Sequence, residues 1–217
     1  MMMKETQKEI ADAVEILKKR LPKALHNELL LTGGAAAFLY GSDRPFSHDM
    51  DFMIPKKRIS DFEKTLELKF ERHTKKAVFH SLKGVFEVGS NSYDLIAESV
   101  IEPENKAFRC SICLTEEIIR RKTTLKIDKS TIYLIPRELL VLIKILAGRG
   151  LELGKYDLYD AQKILESFPD FDFVFFKKLA CQFCSPQEKI LPVLKKNTGK
   201  VGHLKLTEAL KSLQRYG

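Results

Sequence analysis

The stretch Leu29-Leu30-Leu31-Thr32-Gly33-Gly34-Ala35-Ala36-Ala37-Phe38-Leu39-Tyr40-Gly41, followed after a polar turn by His48-Asp49-Met50-Asp51-Phe52-Met53-Ile54-Pro55, decides how this chain reads. Three leucines stopped by two glycines predict a short buried strand and a tight turn. The alanine run that follows favours a helix. From His48 to Ile54 acidic and apolar residues alternate, so Asp49 and Asp51 share one face of a strand and Met50 and Phe52 share the other. Pro55 closes that strand, because proline has no N–H to give to a ladder.

Two carboxylates on one strand face sit about 6 to 7 Å apart along the backbone. Like charges that close repel unless a cation lies between them, and hard oxygen ligands suit Mg²⁺ or Mn²⁺. Just upstream, Gly33 and Gly34 let backbone amides approach phosphate oxygens. Arg44 and Ser47, in the intervening loop, offer a cation and a hydroxyl to the same phosphates. A metal-assisted phosphoryl-transfer site calls for a third carboxylate. Asp94, an acid in the otherwise apolar segment Tyr93-Asp94-Leu95-Ile96, is the first candidate, with Glu98 and Glu87 behind it. The competing reading of all these residues is a polar strand face, a tight turn and a solvated loop with no ligand.

The rest of the chain bounds the answer. Its 217 residues are 44% hydrophobic and 30% charged, the balance of an ordinary globular protein. The longest apolar run, Leu139 to Ile143, is broken by Lys144 and falls far short of the roughly 20 residues that span a bilayer. No membrane role is expected. Met1-Met2-Met3-Lys4-Glu5 has no apolar signal core, which predicts a cytoplasmic address. The net charge of +8 permits an anionic partner such as nucleic acid or nucleotide phosphate, although the basic clusters are short and scattered. The four cysteines form two C-x-x-C pairs, Cys110 with Cys113 and Cys181 with Cys184. Zinc, a disulfide and plain buried thiols all remain open for them.

Helical spacing predicts a first helix over about Glu5 to Leu21 and another over Ile59 to Phe70, capped by Ser60 or Asp61. Several short strands punctuated by Gly84, Gly89 and Asn91 follow from about Val78 to Ala97. Two more flank an Asp128-Lys129-Ser130 turn. The character changes at Pro136. Beyond it helices are expected over Arg137 to Ala147, Tyr156 to Ser167, Phe173 to Phe183, Gln187 to Lys195 and Lys205 to Leu213. The fold class is therefore α+β, with an α+β domain over 1–135 and a helical domain over 136–217. Within the helical part, Lys144 is an ammonium in a strongly apolar run, which either snorkels or reaches into a cleft. Asp157 and Asp160, three apart, share a helix face.

Taken together, the segment from Leu31 to Gly41, Arg44, Ser47 and Asp49-Met50-Asp51-Phe52 resembles the signature of polymerase-β-like nucleotidyltransferases, and in particular the AbiEii-type toxin branch. Lys144, Arg149, Asp157 and Asp160 resemble that branch's second motif set, a lysine in an apolar helix followed by an acidic helix. The resemblance covers about residues 28–166. It departs at Gly34, where many relatives carry serine, which removes one side-chain contact to phosphate. It implies a mixed sheet with flanking helices followed by a helical bundle. Asp49, Asp51 and Asp94 would hold metal and carry catalysis. Gly33, Gly34, Arg44, Ser47, Lys144 and Asp157 would bind nucleotide, with Lys144 on the triphosphate.

The expected activity is metal-dependent transfer of a nucleoside monophosphate from an NTP to an acceptor hydroxyl on an RNA 3′ end (tRNA included), a protein or a small molecule. The chain would belong to a toxin–antitoxin pair, with an antitoxin protein as partner, or stand alone as a relative of such a toxin. The alternative is a non-catalytic module of the same fold that binds nucleotide, nucleic acid or protein. A zinc-stapled nucleic-acid binder is a third reading, resting on the cysteines.

Overall fold

The computed structural model describes residues 2–45, 49–75, 79–102 and 107–201. In chain order the elements are α1 (Met2–Lys18), α2 (Lys23–His26), β1 (Leu30–Leu31), α3 (Gly33–Leu39), β2 (Asp49–Met53), α4 (Ile59–Leu66), β3 (Glu71–Lys75), β4 (Phe79–Val88), β5 (Asn91–Ile101) and β6 (Arg109–Ile112). They continue with α5 (Glu116–Arg120), β7 (Thr123–Ile127), β8 (Ser130–Leu134), α6 (Arg137–Ala147), α7 (Asp157–Ser167), α8 (Phe173–Phe183), β9 (Cys184–Ser185) and α9 (Gln187–Val201). Short 3₁₀ turns occupy Lys56–Arg58 and Leu151–Leu153. Ser47 and the expected helix over 205–213 lie outside the described residues.

The chain is α+β, with a mixed sheet flanked by helices. The strands run in the order β3-β4-β5-β2-β1-β8-β7, with β6 on β5 and β9 on β6. The pairs β1/β8 and β2/β5 are parallel and the others antiparallel. Leu30 and Leu31 are fully buried because β1 lies between two strands. In β2 the alternation seen in the sequence is realised: Met50 and Phe52 are buried, Asp49 is exposed and Asp51 half-buried.

Helix α1 covers the back of the sheet, where the buried Tyr93 hydroxyl donates to the Ala13 carbonyl at 2.9 Å. Helices α3, α6 and α7 contact one another in the chain α3–α7–α6, and α3 also lies along β2. Helix α6 begins after Pro136 (φ −52°), whose missing N–H costs nothing at a helix start. It ends at Gly148 in the left-handed region (φ +62°). Between them nearly every residue is buried, which explains a run apolar on all sides.

Several boundaries differ from expectation. Helix α1 stops at Lys18 because residues 19–21 close a turn. Helix α4 stops at Leu66 rather than Phe70. Glu67 takes a left-handed conformation (φ +54°) there, and neither Ser60 nor Asp61 caps the start. The short strands expected around Gly84 are two long ones, β4 and β5, turning only at Gly89 and Ser90. Gly84 lies inside β4, where a Cβ would come within 2.5 Å of Leu68 Cδ1. It marks close packing rather than a turn. Helix α9 runs through Pro192 to Val201, past the expected end at Lys195.

The cysteines take none of the local pairings. Cys110 of β6 and Cys184 of β9 form a disulfide between the two C-x-x-C motifs, while Cys113 and Cys181 stay outside it. Neighbouring Cys residues in a C-x-x-C are not brought together here because β6 and β9 are paired strands, and Cys110 and Cys184 are register partners. A single hydrophobic cluster includes residues from both sides of 135, and β9 adds a strand to the sheet from the helical half.

Candidate functional site

The site begins with strand register. In the parallel pair β2/β5, Asp51 is the direct partner of Asp94, and Asp49 the partner of Ser92. Partners in register share a face, so all four point to the same side as the glycine turn. Gly33 packs against Asp51 so tightly that a Cβ would lie 2.0 Å from Asp51 Oδ2, and its φ of +66° favours glycine as well. A Cβ on Gly34 would come within 3.0 Å of the Arg44 guanidinium carbon. The two glycines therefore let backbone lie directly on a carboxylate and a guanidinium.

Strand β5 is irregular. Leu82 pairs with Glu98 and Lys83 pairs with Ile96, so Ala97 is an extra residue, a β-bulge. Below it Ser92, Asp94 and Ile96 face the cleft; above it Ser99 does. Glu98 is turned to the other face, where Lys56 (2.7 Å), Arg72 (3.3 Å) and Ser111 (2.6 Å) hold it. Burial pushes its carboxyl up, but those donors and charges outweigh burial and leave it below the ordinary glutamate range. Glu98 is thereby removed as a third carboxylate for the cleft. Glu87 pairs with Ser92 near the end of β4 and does not line the cleft.

The cleft has a volume of about 620 Å³. One wall is the sheet, with Asp49, Asp51 and Asp94. The other comes from α6, α7 and the loop between them, with Lys144, Arg149, Lys155, Tyr156 and Asp157. Lys144 does not snorkel. It is buried and donates to Asp157 at 3.1 Å and Asp160 at 2.8 Å. Arg149 donates to the other Asp157 oxygen at 2.5 Å, and its guanidinium lies over the Phe79 ring at 4.9 Å. Asp160 is fully buried and also accepts from Ser42 (2.7 Å) and Arg44 (3.1 Å). Arg44 in turn stacks on Tyr156 at 4.8 Å. The loop after α3 is thus tied to α7 through the Asp160 carboxylate, and Tyr159 of α7 donates to Asp43 of the same loop.

The structure brings Gly33, Gly34, Arg44, Asp49, Asp51, Asp94, Lys144 and Asp157 into this one cleft. Sequence reasoning missed Lys83. It projects from β4 into the cleft, nearly buried, and its ammonium is hydrogen-bonded and ion-paired with Asp94. Its only local signal is a lysine beside a glycine in a strand. Asp160 was paired with Asp157 by spacing, but its place as the hub for Ser42, Arg44 and Lys144 depends on long-range packing.

By chemistry and register the three aspartates suit a hard divalent cation. Among the described residues, no group of three or more His, Cys, Asp or Glu side chains is gathered closely enough to hold an ion as it stands. The carboxylates would have to rotate toward one another, and Lys83 already holds one oxygen of Asp94. Also among the described residues, no helix is long and apolar enough to cross a membrane.

No protein-family model matches the chain. No curated protein matches it in sequence. In fold it is similar to a Thermotoga maritima structure carrying a provisional nucleotidyltransferase assignment. That pair shares 11% identity and a TM-score of 0.48, over 66% of this chain and 89% of the other. It is also similar to the lincosamide antibiotic adenylyltransferase LnuA bound to lincomycin (15%, TM-score 0.39, 74% and 94%). A third similar structure is an antigenic nucleotidyltransferase-like protein from Paracoccidioides brasiliensis (16%, TM-score 0.40, 96% and 92%). At these levels no residue role is carried over from them.

Proposed function

We propose that this chain is a nucleotidyltransferase that moves a nucleoside monophosphate from an NTP to an acceptor hydroxyl. The observation that carries the reading is the facing pair Asp51 and Asp94 across β2/β5, with Gly33 pressed against Asp51 at the floor of a cleft. Asp49, Asp51 and Asp94 would hold Mg²⁺ or Mn²⁺, which when bound supplies charge neutralisation at the phosphate oxygens.

The chain's own residues do the rest. Gly33 and Gly34 allow phosphate to approach the backbone. Lys144, Arg149 and Lys155 present positive charge from the opposite wall. Asp157 and Asp160 fix the Lys144 ammonium, so its position is set before a nucleotide arrives. Asp94 would take the proton from the attacking hydroxyl. The acceptor classes are an RNA 3′ end such as that of tRNA, a protein side chain and a small molecule. We read the chain further as a relative of AbiEii-type toxins, acting in the cytoplasm with an antitoxin protein as partner.

Incubation with each labelled NTP, total RNA and no added acceptor in parallel tests this. Labelling of RNA or of the protein itself is expected, with none from Asp49→Ala or Asp51→Ala. Equal labelling by both variants and the parent would sink the mechanism.

One observation favours a second reading, a non-catalytic module of the same fold: Asp94 is already occupied by Lys83. Thermal-shift measurements with Mg²⁺ and each NTP separate the two. Stabilisation by none of them would support the module.

A further inference from the structure

We infer that Lys83 is a built-in counter-ion for Asp94, and that it makes divalent-metal binding depend on an anion entering with the metal. The inference rests on the nucleotidyltransferase reading above.

Asp94 faces Asp51 in register, so two carboxylates share one spot on the sheet. Without a cation between them they repel. Lys83 stands one residue from the bulge, directly opposite Ile96 and diagonal to Asp94, a distance that a long side chain spans. Its side chain is 9% exposed and that of Asp94 20%. The other tethered cations of the cleft are tied to acids of α7: Lys144 to Asp157 and Asp160, Arg149 to Asp157 and Arg44 to Asp160. Lys83, by contrast, is ion-paired with a member of the candidate metal set, Asp94.

If a divalent cation takes Asp94, the Lys83 ammonium loses its partner in a nearly buried place. An unpaired buried ammonium is unfavourable. Phosphate oxygens in the same cleft would supply the missing partner. Metal and nucleotide then favour each other's binding, and the coupling is reciprocal. Metal alone has to displace Lys83 without compensation and binds weakly.

The test is a titration with Mn²⁺, followed by its electron paramagnetic resonance signal, with and without a non-hydrolysable analogue of each of the four NTPs. In the parent protein, at least one analogue is expected to tighten Mn²⁺ binding tenfold or more. In Lys83→Met, Mn²⁺ alone is expected to bind about tenfold more tightly than in the parent, and the gain from the analogue to shrink to a few-fold. Lys83→Arg should keep the parent's pattern. If Lys83→Met does not fold, Lys83→Gln is titrated in its place.

Equal affinity for Mn²⁺ alone in the parent and the neutral variant overturns the inference. So does tight binding of Mn²⁺ alone by the parent that Asp94→Asn abolishes, an outcome that leaves the nucleotidyltransferase reading standing. No Mn²⁺ binding by either protein under any of these conditions overturns both.

Discussion

Lys144 and Asp160 form an ion pair 2.8 Å long from which water is almost wholly shut out, their side chains being 7% and 0% exposed. Such a pair is costly to break from one side, because the remaining charge is left buried. Asp160 also receives Ser42 and Arg44, so its removal frees three donors at once. Asp160→Ala is expected to lower stability by about 3–5 kcal/mol. A urea titration measures it. A change below about 1 kcal/mol would show that the hub is not as dry as its packing implies.

Gly33 and Gly154 have nearly the same left-handed backbone, at φ +66° and +63°, but different surroundings. A Cβ on Gly154 would meet nothing within 4 Å, whereas on Gly33 it would collide with Asp51. Gly154→Ala should cost only the backbone strain, about 1–2 kcal/mol. Gly33→Ala should cost more and, in addition, remove transfer activity, since Asp51 must move. Melting temperatures and labelled-NTP assays on the two variants check the contrast.

Asp94→Asn keeps the shape of the side chain and removes its basicity. On the proposed mechanism transfer falls by about 10²- to 10⁴-fold, the usual contribution of a general base. Single-turnover labelling at saturating NTP is the measurement. An Asp94→Asn rate within threefold of the parent would strip Asp94 of that role.

Glu98 gives a prediction for acid stability. Its folded-state carboxyl lies below the ordinary value of 4.5, despite burial, because Lys56, Ser111 and Arg72 stabilise the charged form. A depressed carboxylate contributes stability that is present above the unfolded pKa and lost as pH falls through the folded one. Stability should therefore drop as pH is lowered below about 4.5. Glu98→Gln should be less stable than the parent at neutral pH and show a shallower acid limb. Denaturant midpoints from pH 7 to pH 3 test the slope.

The Cys110–Cys184 disulfide closes 74 residues of sequence separation. Cross-linking a loop of that order stabilises by about 2–4 kcal/mol through the unfolded chain. Cys184→Ser should lose that amount. Peptide mapping without reductant should recover residues 110 and 184 on one cross-linked fragment. A fragment joining Cys110 to Cys113 would contradict the pairing.

What could be read in the sequence was what lies close in sequence. The alternation around Asp49 and Asp51 is a property of five consecutive residues, and their burial follows it. Lys144 stood out because its neighbours are apolar, and Asp157 and Asp160 because a helix puts them on one face. Lys83 has no such local mark. It becomes buried only when β4 pairs with β5, a contact made by folding rather than by spacing. The cysteines stayed open for the same reason: each C-x-x-C is a local pattern, but the bond joins strands from two halves of the chain. Glu98, an alternative to Asp94 in the sequence, shares its strand parity until one additional residue reverses its direction.

That additional residue, Ala97, acts as a phase inserter. Strand β4 presents every second residue to the cleft without interruption, while β5 changes from even to odd positions as it passes the bulge. Deleting Ala97 would leave a regular ladder with Glu98 still opposite Leu82 on the far face. Threading Ala97 into the ladder opposite Leu82 would instead turn over the whole segment beyond it, and Glu98 would swing into the cleft beside the aspartates, abandoning Lys56, Arg72 and Ser111 on the far side. The separation of an acid that serves the cleft from one that locks the back of the sheet thus hangs on a single methyl-bearing residue standing outside the ladder.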